Sequence, residues 1–253
     1  MKFSGRTQPL FPRYSILDAL SAIQRLGFDG VEICLEIDEI SPAVLTPAQI
    51  AAIREKVETL GLAPVAVGYH KDYIFDDELF ELSQKAIRCT RAFGTGILIF
   101  SNAVVRTGSP DEWARTVQRT RALVELAEDE GVILAQEFEP GFIIGSTADL
   151  LRLFDAVPSP NLAANFDLGH AFLTDPDPLA AIRQVGPKIV HGHVENMHAG
   201  LHDHALPQNG DMDLAPYLAA LAETGFTGGL ALDLYRFDYE AVAPEALAYL
   251  RAL

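Results

Sequence analysis

The sequence predicts an α/β fold, a single (β/α)8 barrel occupying residues 1–253. Three observations carry that expectation. Short apolar runs alternate with amphipathic segments about eight times, with no linker or low-complexity stretch between them. Glycines at 27, 61, 94, 131, 186 and 225 stand between a helix-like segment and the next apolar run, where a left-handed C′ residue ends a helix. The length, 253 residues, is ordinary for such a barrel. A doubly wound open sheet is the alternative, but the first βα turn lacks a GxGxxG fingerprint.

Taken in order, strands are expected at 2–7, 30–36, 64–69, 96–101, 132–138, 162–167, 188–194 and 229–235, and helices at 15–26, 47–60, 77–92, 110–130, 147–156, 177–185, 214–224 and 240–251. Two helix starts are spelled out. Thr46-Pro47 with Gln49, and Ser109-Pro110 with Glu112, each supply an N-cap, a proline at the first helical position and a capping-box partner.

Composition narrows the function. Hydrophobic residues make up 49% and charged residues 21%, enough apolar mass for a large core. The net charge of -16 disfavours nucleic acid and anionic membrane surfaces as partners. The N-terminus has no apolar signal region, and no run is long enough to span a bilayer. Cys34 and Cys89 form no CxxC pair, which fits a reducing cytoplasm. The chain is compatible with a homo-oligomer.

In a barrel of this kind the reacting groups sit at the C-terminal ends of the strands. Side chains alternate along a strand, so Ala135 and Glu137 share a face, as do Ala163, Asn165 and Asp167. In LALDLY the stripe Leu230, Leu232 and Leu234 suits the outer helices and turns Asp233 inward. The stretch 188–204, KIVHGHVENMHAGLHDH, holds five of the seven histidines, and its strand half sends His191 and His193 to one face. The last four strands therefore each present one ligand-type residue inward: Glu137, Asp167, His193 and Asp233. Three converging carboxylates repel one another unless a cation lies between them, so this pattern points to a divalent metal. Three carboxylates and one imidazole suit Mn²⁺ or Mg²⁺, with Zn²⁺ also compatible.

The segments EFEPG at 137–141, NFDLGH at 165–170, HGHVENMHAGLHDHALPQNGDMDL at 191–214 and GFTGGLALDLY at 225–235 resemble those of the xylose isomerase-like barrels of the sugar phosphate isomerase/epimerase superfamily. The resemblance implies a metal held by Glu137, Asp167, His193 and, in the last place, Asp233 where a Glu is usual. It also implies that His170 contacts substrate. The segment LPQNGDMDL departs from the more usual PGxGxID-type turn. A multi-zinc apurinic endonuclease on the same barrel places third-metal ligands at positions matched by His170, His202 and His204, with His202 in place of an Asp. A second metal at those histidines is therefore an open expectation. Endonuclease action is disfavoured by the acidic surface and by GILIFSN, which lacks a histidine that relative needs.

Other residues carry two readings each. His70 ends the third strand, at the pocket mouth or in a surface loop. Glu139 either reaches substrate or a second metal, or is solvated. Glu32 and Glu36 alternate inward, Glu32 as a structural hydrogen-bonding group. Glu195 is expected to hold a ligand histidine in one tautomer. Arg106 and Arg236 are the few cations near strand ends, so an unphosphorylated substrate is favoured.

The expected activity is a metal-dependent isomerase or epimerase acting on a sugar, ketose or cyclitol through an enediolate. Glu137 is the base and Asp233 faces it; His170, His202, His204, His70 and Glu139 bind substrate. A lyase or dehydratase acting on an oxidised sugar, or a non-catalytic metal-binding barrel, is the alternative.

Overall fold

The computed structural model describes residues 1–253. Eight parallel strands close into a barrel: β1 (Lys2–Arg6), β2 (Gly30–Cys34), β3 (Ala63–Tyr69), β4 (Ile97–Phe100), β5 (Ile133–Glu137), β6 (Leu162–Asp167), β7 (Ile189–Val194) and β10 (Gly229–Leu232). β10 lies between β7 and β1 and closes the ring. The helices are α1 (Ile16–Arg25), α2 (Pro47–Thr59), α3 (Asp77–Thr90), α4 (Pro110–Glu130), α5 (Thr147–Ala156), α6 (Leu168–Thr174), α7 (Pro178–Val185), α8 (Leu214–Glu223) and α9 (Tyr239–Ala252). Every strand and helix expected from the sequence is present. No helix is long and apolar enough to cross a membrane.

The punctuating glycines act as read: Gly94 (φ 94°) and Gly131 (φ 64°) are left-handed ends after which β4 and β5 begin. Helix α1 buries Ile16, Ala19, Leu20 and Ile23, one stripe at helical spacing. That stripe joins a continuous core of 63 buried residues. Ala66, Ile99 and Ala135 form a separate small cluster. Ala135 shares its face of β5 with Glu137, so this cluster fills the lumen below the charged end.

Three differences from the expectation bear on the site. β2 and β10 stop at Cys34 and Leu232, short of residues 36 and 235. The ladder still runs one bond further, Leu35 N–H donating to Gly68 O and Asp233 N–H to Val194 O, so the inward alternation reaches Asp233. The short helix α6 was not anticipated, because Leu168, Gly169, His170 and Ala171 are all buried and leave no polar face to mark a helical period. The His-rich stretch after residue 194, where the sequence predicts neither strand nor helix, is an antiparallel hairpin, β8 (Asn196–His198) with β9 (Leu201–Ala205), so His202 and His204 lie on a strand. In LHDHA Asp203 interrupts the face that carries Leu201 and Ala205, which hides the period of two.

Thr46 and Gln49 form a complete capping box on α2. At α4 Ser109 caps as read, but Glu112 does not reach back to it. Its carboxylate instead accepts from the amides of Arg106 (3.1 Å), Thr107 (2.8 Å) and Gly108 (2.8 Å), pinning the loop that leaves β4. Burial would raise the Glu112 carboxyl, but these N–H groups outweigh it and lower it below its ordinary value. A lowered folded pKa gives stability that is present above the unfolded value and lost as pH falls through the folded one. Protection of the 106–108 amides in hydrogen exchange, corrected for intrinsic rates, should therefore decline below about pH 4.5. Glu112→Gln should show the same loss at neutral pH, and full protection in that variant would contradict the assignment.

Candidate metal centre and catalytic pocket

Strand register brings the four expected ligands to one level. Parallel pairing sets Asp167 opposite His193, and His193 opposite Ala231, two residues before Asp233. Glu137 is the last residue of β5, beside Asn165. All four side chains are buried. From His193 Nδ1 the distances are 3.0 Å to Glu137 Oε1, 3.7 Å to Asp167 Oδ2 and 3.9 Å to Asp233 Oδ2.

Each carboxylate is oriented by what holds its other oxygen. Asp167 uses Oδ1 as the N-cap of α6, accepting from His170 N–H at 2.8 Å, which leaves buried Oδ2 without a hydrogen-bond partner. Asp233 leaves Oδ1 without a partner. His193 is fixed from behind: its Nε2 lies 2.9 Å from Glu32 Oε2, so Nε2–H donates there and Nδ1 faces the carboxylates. Glu32 thus performs the tautomer-setting role that the sequence reading gave to Glu195. Glu195 instead accepts from Gly169 N–H at 3.1 Å and touches no histidine. Burial, then the charges of Asp167 and Asp233, push the Glu195 carboxyl well above its ordinary value. His191, on the same strand face as His193, is not part of this set; its Nδ1–H donates to Asn165 Oδ1 at 2.8 Å, deeper in the barrel.

Arg6 is the group that sequence reasoning missed. The buried guanidinium donates from Nε to Glu32 Oε1 at 3.0 Å and pairs through Nη1 with Asp233 Oδ2 at 2.5 Å. Burial would raise both carboxyls; Arg6 and His193 outweigh it, holding Glu32 well below its ordinary value and lowering Asp233. A signal existed, because alternation from buried Ser4 points Arg6 inward at the C-terminal end of β1.

Above the four converging side chains a cavity of about 360 Å³ opens to solvent, lined in part by Arg6, His70, Glu139, His170, His204 and Tyr235. Of the two readings of His70, the pocket mouth holds. Its Nδ1–H donates to Glu36 Oε1 at 2.7 Å, and its Nε2 sits 2.7 Å from Glu137 Oε2, outside hydrogen-bond alignment. Burial alone would lower its pKa, but the carboxylates of Glu137 and Glu36 raise it to about 10. Glu139 lines the same cavity, its carboxyl pushed up to about 7 by burial and by the charge of Glu137. Lys71, also unremarked in the sequence, is part of the wall. Arg106 turns away, its guanidinium stacked 3.8 Å from the Phe75 ring and paired with Asp72, and Arg236 is exposed outside the cavity lining.

A second cluster lies at the rim. The Nε2 atoms of His170 and His204 each lie 3.0 Å from Nε2 of His202. His170 Nδ1–H donates to Phe138 O at 2.8 Å and His204 Nδ1–H to Asp233 O at 3.2 Å, so both Nε2 lone pairs face inward. One Nε2–H on His202 satisfies only one of them. His202 is depressed to about 4 by burial and then by the two neighbouring imidazoles. His204 holds a left-handed backbone (φ 47°), the one non-glycine residue with positive φ in the chain.

Residues 20–253 match the family model described as "Xylose isomerase-like TIM barrel". The chain belongs to this family. Among its relatives is the fructoselysine 3-epimerase of Shigella flexneri, 24% identical over 260 residues that cover 95% of this chain and 94% of that one. The inosose dehydratase of Bacillus thuringiensis is 26% identical over 39% of this chain and 33% of its own length. Solved structures that share the fold include a probable 3-DHS dehydratase from Bacillus anthracis (TM-score 0.85, 17% identity, 99% of both chains). Another is the 3-keto-D-glucoside 4-epimerase of E. coli (TM-score 0.83, 18% identity, 100% of both chains).

The residues of this xylose isomerase-like barrel fit a divalent cation. Asp167, His193 and Asp233 offer donor atoms all within 4.8 Å of one another, and Glu137 adjoins them. Two buried carboxylate oxygens, Asp167 Oδ2 and Asp233 Oδ1, have no hydrogen-bond donor. Such atoms are costly unless paired or metal-bound. Arg6 is the only lysine or arginine paired with this buried set. Arg6→Met should therefore destabilise EDTA-treated protein by about 3–5 kcal/mol in urea denaturation, because Glu32 and Asp233 lose their shared partner. A loss under about 1 kcal/mol would mean that the carboxylates do not depend on it.

Proposed function

We propose that this barrel is a divalent-metal-dependent isomerase or epimerase acting on a sugar, ketose or cyclitol through an enediolate. The observation that carries the reading is the convergence of Glu137, Asp167, His193 and Asp233, with unpartnered carboxylate oxygens, beneath a polar cavity. The named activities of the epimerase relatives support it. Three carboxylates with one imidazole favour Mn²⁺ or Mg²⁺, with Zn²⁺ compatible. A cation held there would supply Lewis acidity to adjacent substrate oxygens, favouring the charge that develops when a proton leaves the carbon beside a carbonyl.

Glu137 is the base. It lies at the cavity floor, and His70 and His193 keep its carboxyl well below the ordinary range against the opposing effect of burial, so it is ionised. Asp233 faces it as the second proton-transfer group in an epimerisation, with Arg6 fixing its orientation. His170, His202, His204, His70 and Glu139 line or rim the cavity and bind substrate hydroxyls. The three convergent Nε2 atoms of His170, His202 and His204 also suit a second, weaker cation. The acidic chain and polar, sugar-sized pocket suit a small carbohydrate or cyclitol rather than nucleic acid.

A second reading, a lyase or dehydratase acting on an oxidised sugar, draws on one observation. Arg6 engages Asp233 Oδ2 at 2.5 Å with a permanent charge, whereas Glu137 pairs only with the imidazoles of His70 and His193, which can release a proton. One base suffices to remove the proton in an elimination.

Purified protein should carry about one equivalent of divalent metal, as a four-ligand site of this kind holds. Replacing His202 and His204 together with alanine should leave that equivalent in place; its loss would put the rim histidines in the first site. Glu137→Gln should slow exchange of the substrate α-proton with D₂O by about 10²–10⁴-fold at saturating metal. Wild-type exchange in that variant would move the base role to Asp233 or Glu139. Metal content without exchange in any ketose or cyclitol ketone tried would favour a non-catalytic barrel.

A further inference from the structure

Glu36 carries a nearly buried carboxylate, its side chain 10% exposed, on the loop after β2. β2 ends at Cys34, but Leu35 N–H donates to Gly68 O at 2.8 Å and carries the ladder one bond further. Glu36 therefore stands beside the end of β3, where His70 leaves the strand. Its only ion pair is with His70. Oε1 accepts from both the backbone N–H and the ring Nδ1–H of His70. Oε2 is buried without a hydrogen-bond partner. Burial would raise this carboxyl; the contacts with His70 outweigh it and lower it, so the group is ionised. A carboxylate buried this deeply is costly, and its main compensation is one histidine.

The His70 ring is confined. Backbone and ring donors converge on the same Glu36 oxygen, so the ring cannot turn without losing a charged hydrogen bond. His193 packs beside it, ring centroids 5.8 Å apart. Gly68 leaves the room for it: a Cβ there would stand 2.9 Å from Glu32 Oε1 and 3.3 Å from His70 Cε1. With Nδ1 fixed on Glu36, Nε2 is the nitrogen left, and it lies 2.7 Å from Glu137 Oε2. Glu137 Oε1 lies 3.0 Å from His193 Nδ1. Two imidazoles thus bracket Glu137, and a glutamate sets each from behind: Glu32 holds His193, and Glu36 holds His70.

We propose that Glu36 is a positioning residue: through His70 it fixes the carboxylate of Glu137, as ligand and as base, in the way that Glu32 acts through His193. The base half of this inference rests on the proton-transfer reading above; the ligand half does not. Glu36 pairs with none of the four ligands itself, so its influence has one route. Removing His70 should therefore remove the effect of removing Glu36. A group that merely filled space beside β3 would add its own loss to that of His70.

The test is a double-mutant cycle of Glu36→Ala and His70→Ala with two readouts. One is the calorimetric affinity of EDTA-treated protein for Mn²⁺. The other is D₂O exchange by the Mn²⁺-saturated protein in D-fructose and in scyllo-inosose. Glu36→Ala should weaken Mn²⁺ binding and lower kcat for exchange, each by about 10–100-fold, with KM little changed. His70→Ala should cost at least as much, and the double variant no more than His70→Ala alone. Glu36→Gln keeps an acceptor for the His70 Nδ1–H and should recover most of both losses. Coupled losses in either readout support the positioning role. If the wild type exchanges neither ketone but the Mn²⁺ losses are coupled, the reaction reading fails and the positioning stands. Exchange by the wild type, with additive losses in both readouts or with Glu36→Ala at wild-type affinity and rate, overturns the positioning and leaves the reaction standing. No exchange, with additive or absent Mn²⁺ losses, overturns both.

Discussion

The Arg6 guanidinium is the tie on which the centre depends. Closing the barrel sets β1 between β2 and β10, so an inward arginine at the end of β1 faces Glu32 on one side and Asp233 on the other. Glu32 in turn fixes the tautomer of His193 through Nε2, and His193 presents Nδ1 to Glu137 and Asp167. Orientation of the ligand set thus passes through one buried cation that need not itself be a ligand. The arrangement is expensive in desolvation, since burying four carboxylates and a guanidinium costs several kcal/mol per ion. What such a chain provides is geometry: each charged group has one partner that fixes where its remaining atoms point.

The rim histidines follow a different logic, in which ring orientation is set by backbone carbonyls rather than by ion pairs. Two imidazoles spend their Nδ1–H on backbone carbonyls, at Phe138 and Asp233, and burial keeps His202 uncharged between them. The backbone pays for this at His204, whose left-handed conformation turns the ring off the hairpin and toward Asp233. The hairpin β8–β9 is therefore a carrier of side chains to the rim. Asn196 anchors its base, donating from Nδ2 to Pro207 O and Met212 O and accepting from the amides of Met197 and Met212.

Much of this was legible in the sequence, and the boundary has a physical cause. Strand alternation and glycine-ended helices are local signals, and they located the barrel and turned Glu137, Asp167, His193 and Asp233 inward. Capping is also local, and the Thr46 box formed as read. Partners across the lumen are not local. Nothing in KFSGR ties Arg6 to Asp233, 227 positions away, and only barrel closure brings them together. For the same reason Glu195, next in sequence to the ligand strand, drew an assignment that belongs to distant Glu32. Glu112 shows the limit within a local motif: its spacing from Ser109 fits a capping box, but the free amides at 106–108 offered it three bonds instead.

The fourth ligand position joins these threads. A glutamate there would reach one methylene further from its strand; Asp233 is shorter, and Arg6 fills the space behind it. An aspartate so clamped keeps Oδ1 without a hydrogen-bond partner, while Oδ2, the oxygen on Arg6, is the one 3.9 Å from His193 Nδ1. To serve also as a proton-transfer group it must give up part of its interaction with a guanidinium at 2.5 Å, which favours the carboxylate form and weakens it as a base. Glu137 carries no such arginine; its partners are His70 and His193, imidazoles able to give or share a proton. The two faces of the cavity are therefore unequal, one with a mobile-proton environment and one with a fixed charge pair. In the proposed chemistry that asymmetry, more than the identity of the four ligands, governs whether a proton returns on the opposite face or a neighbouring hydroxyl leaves.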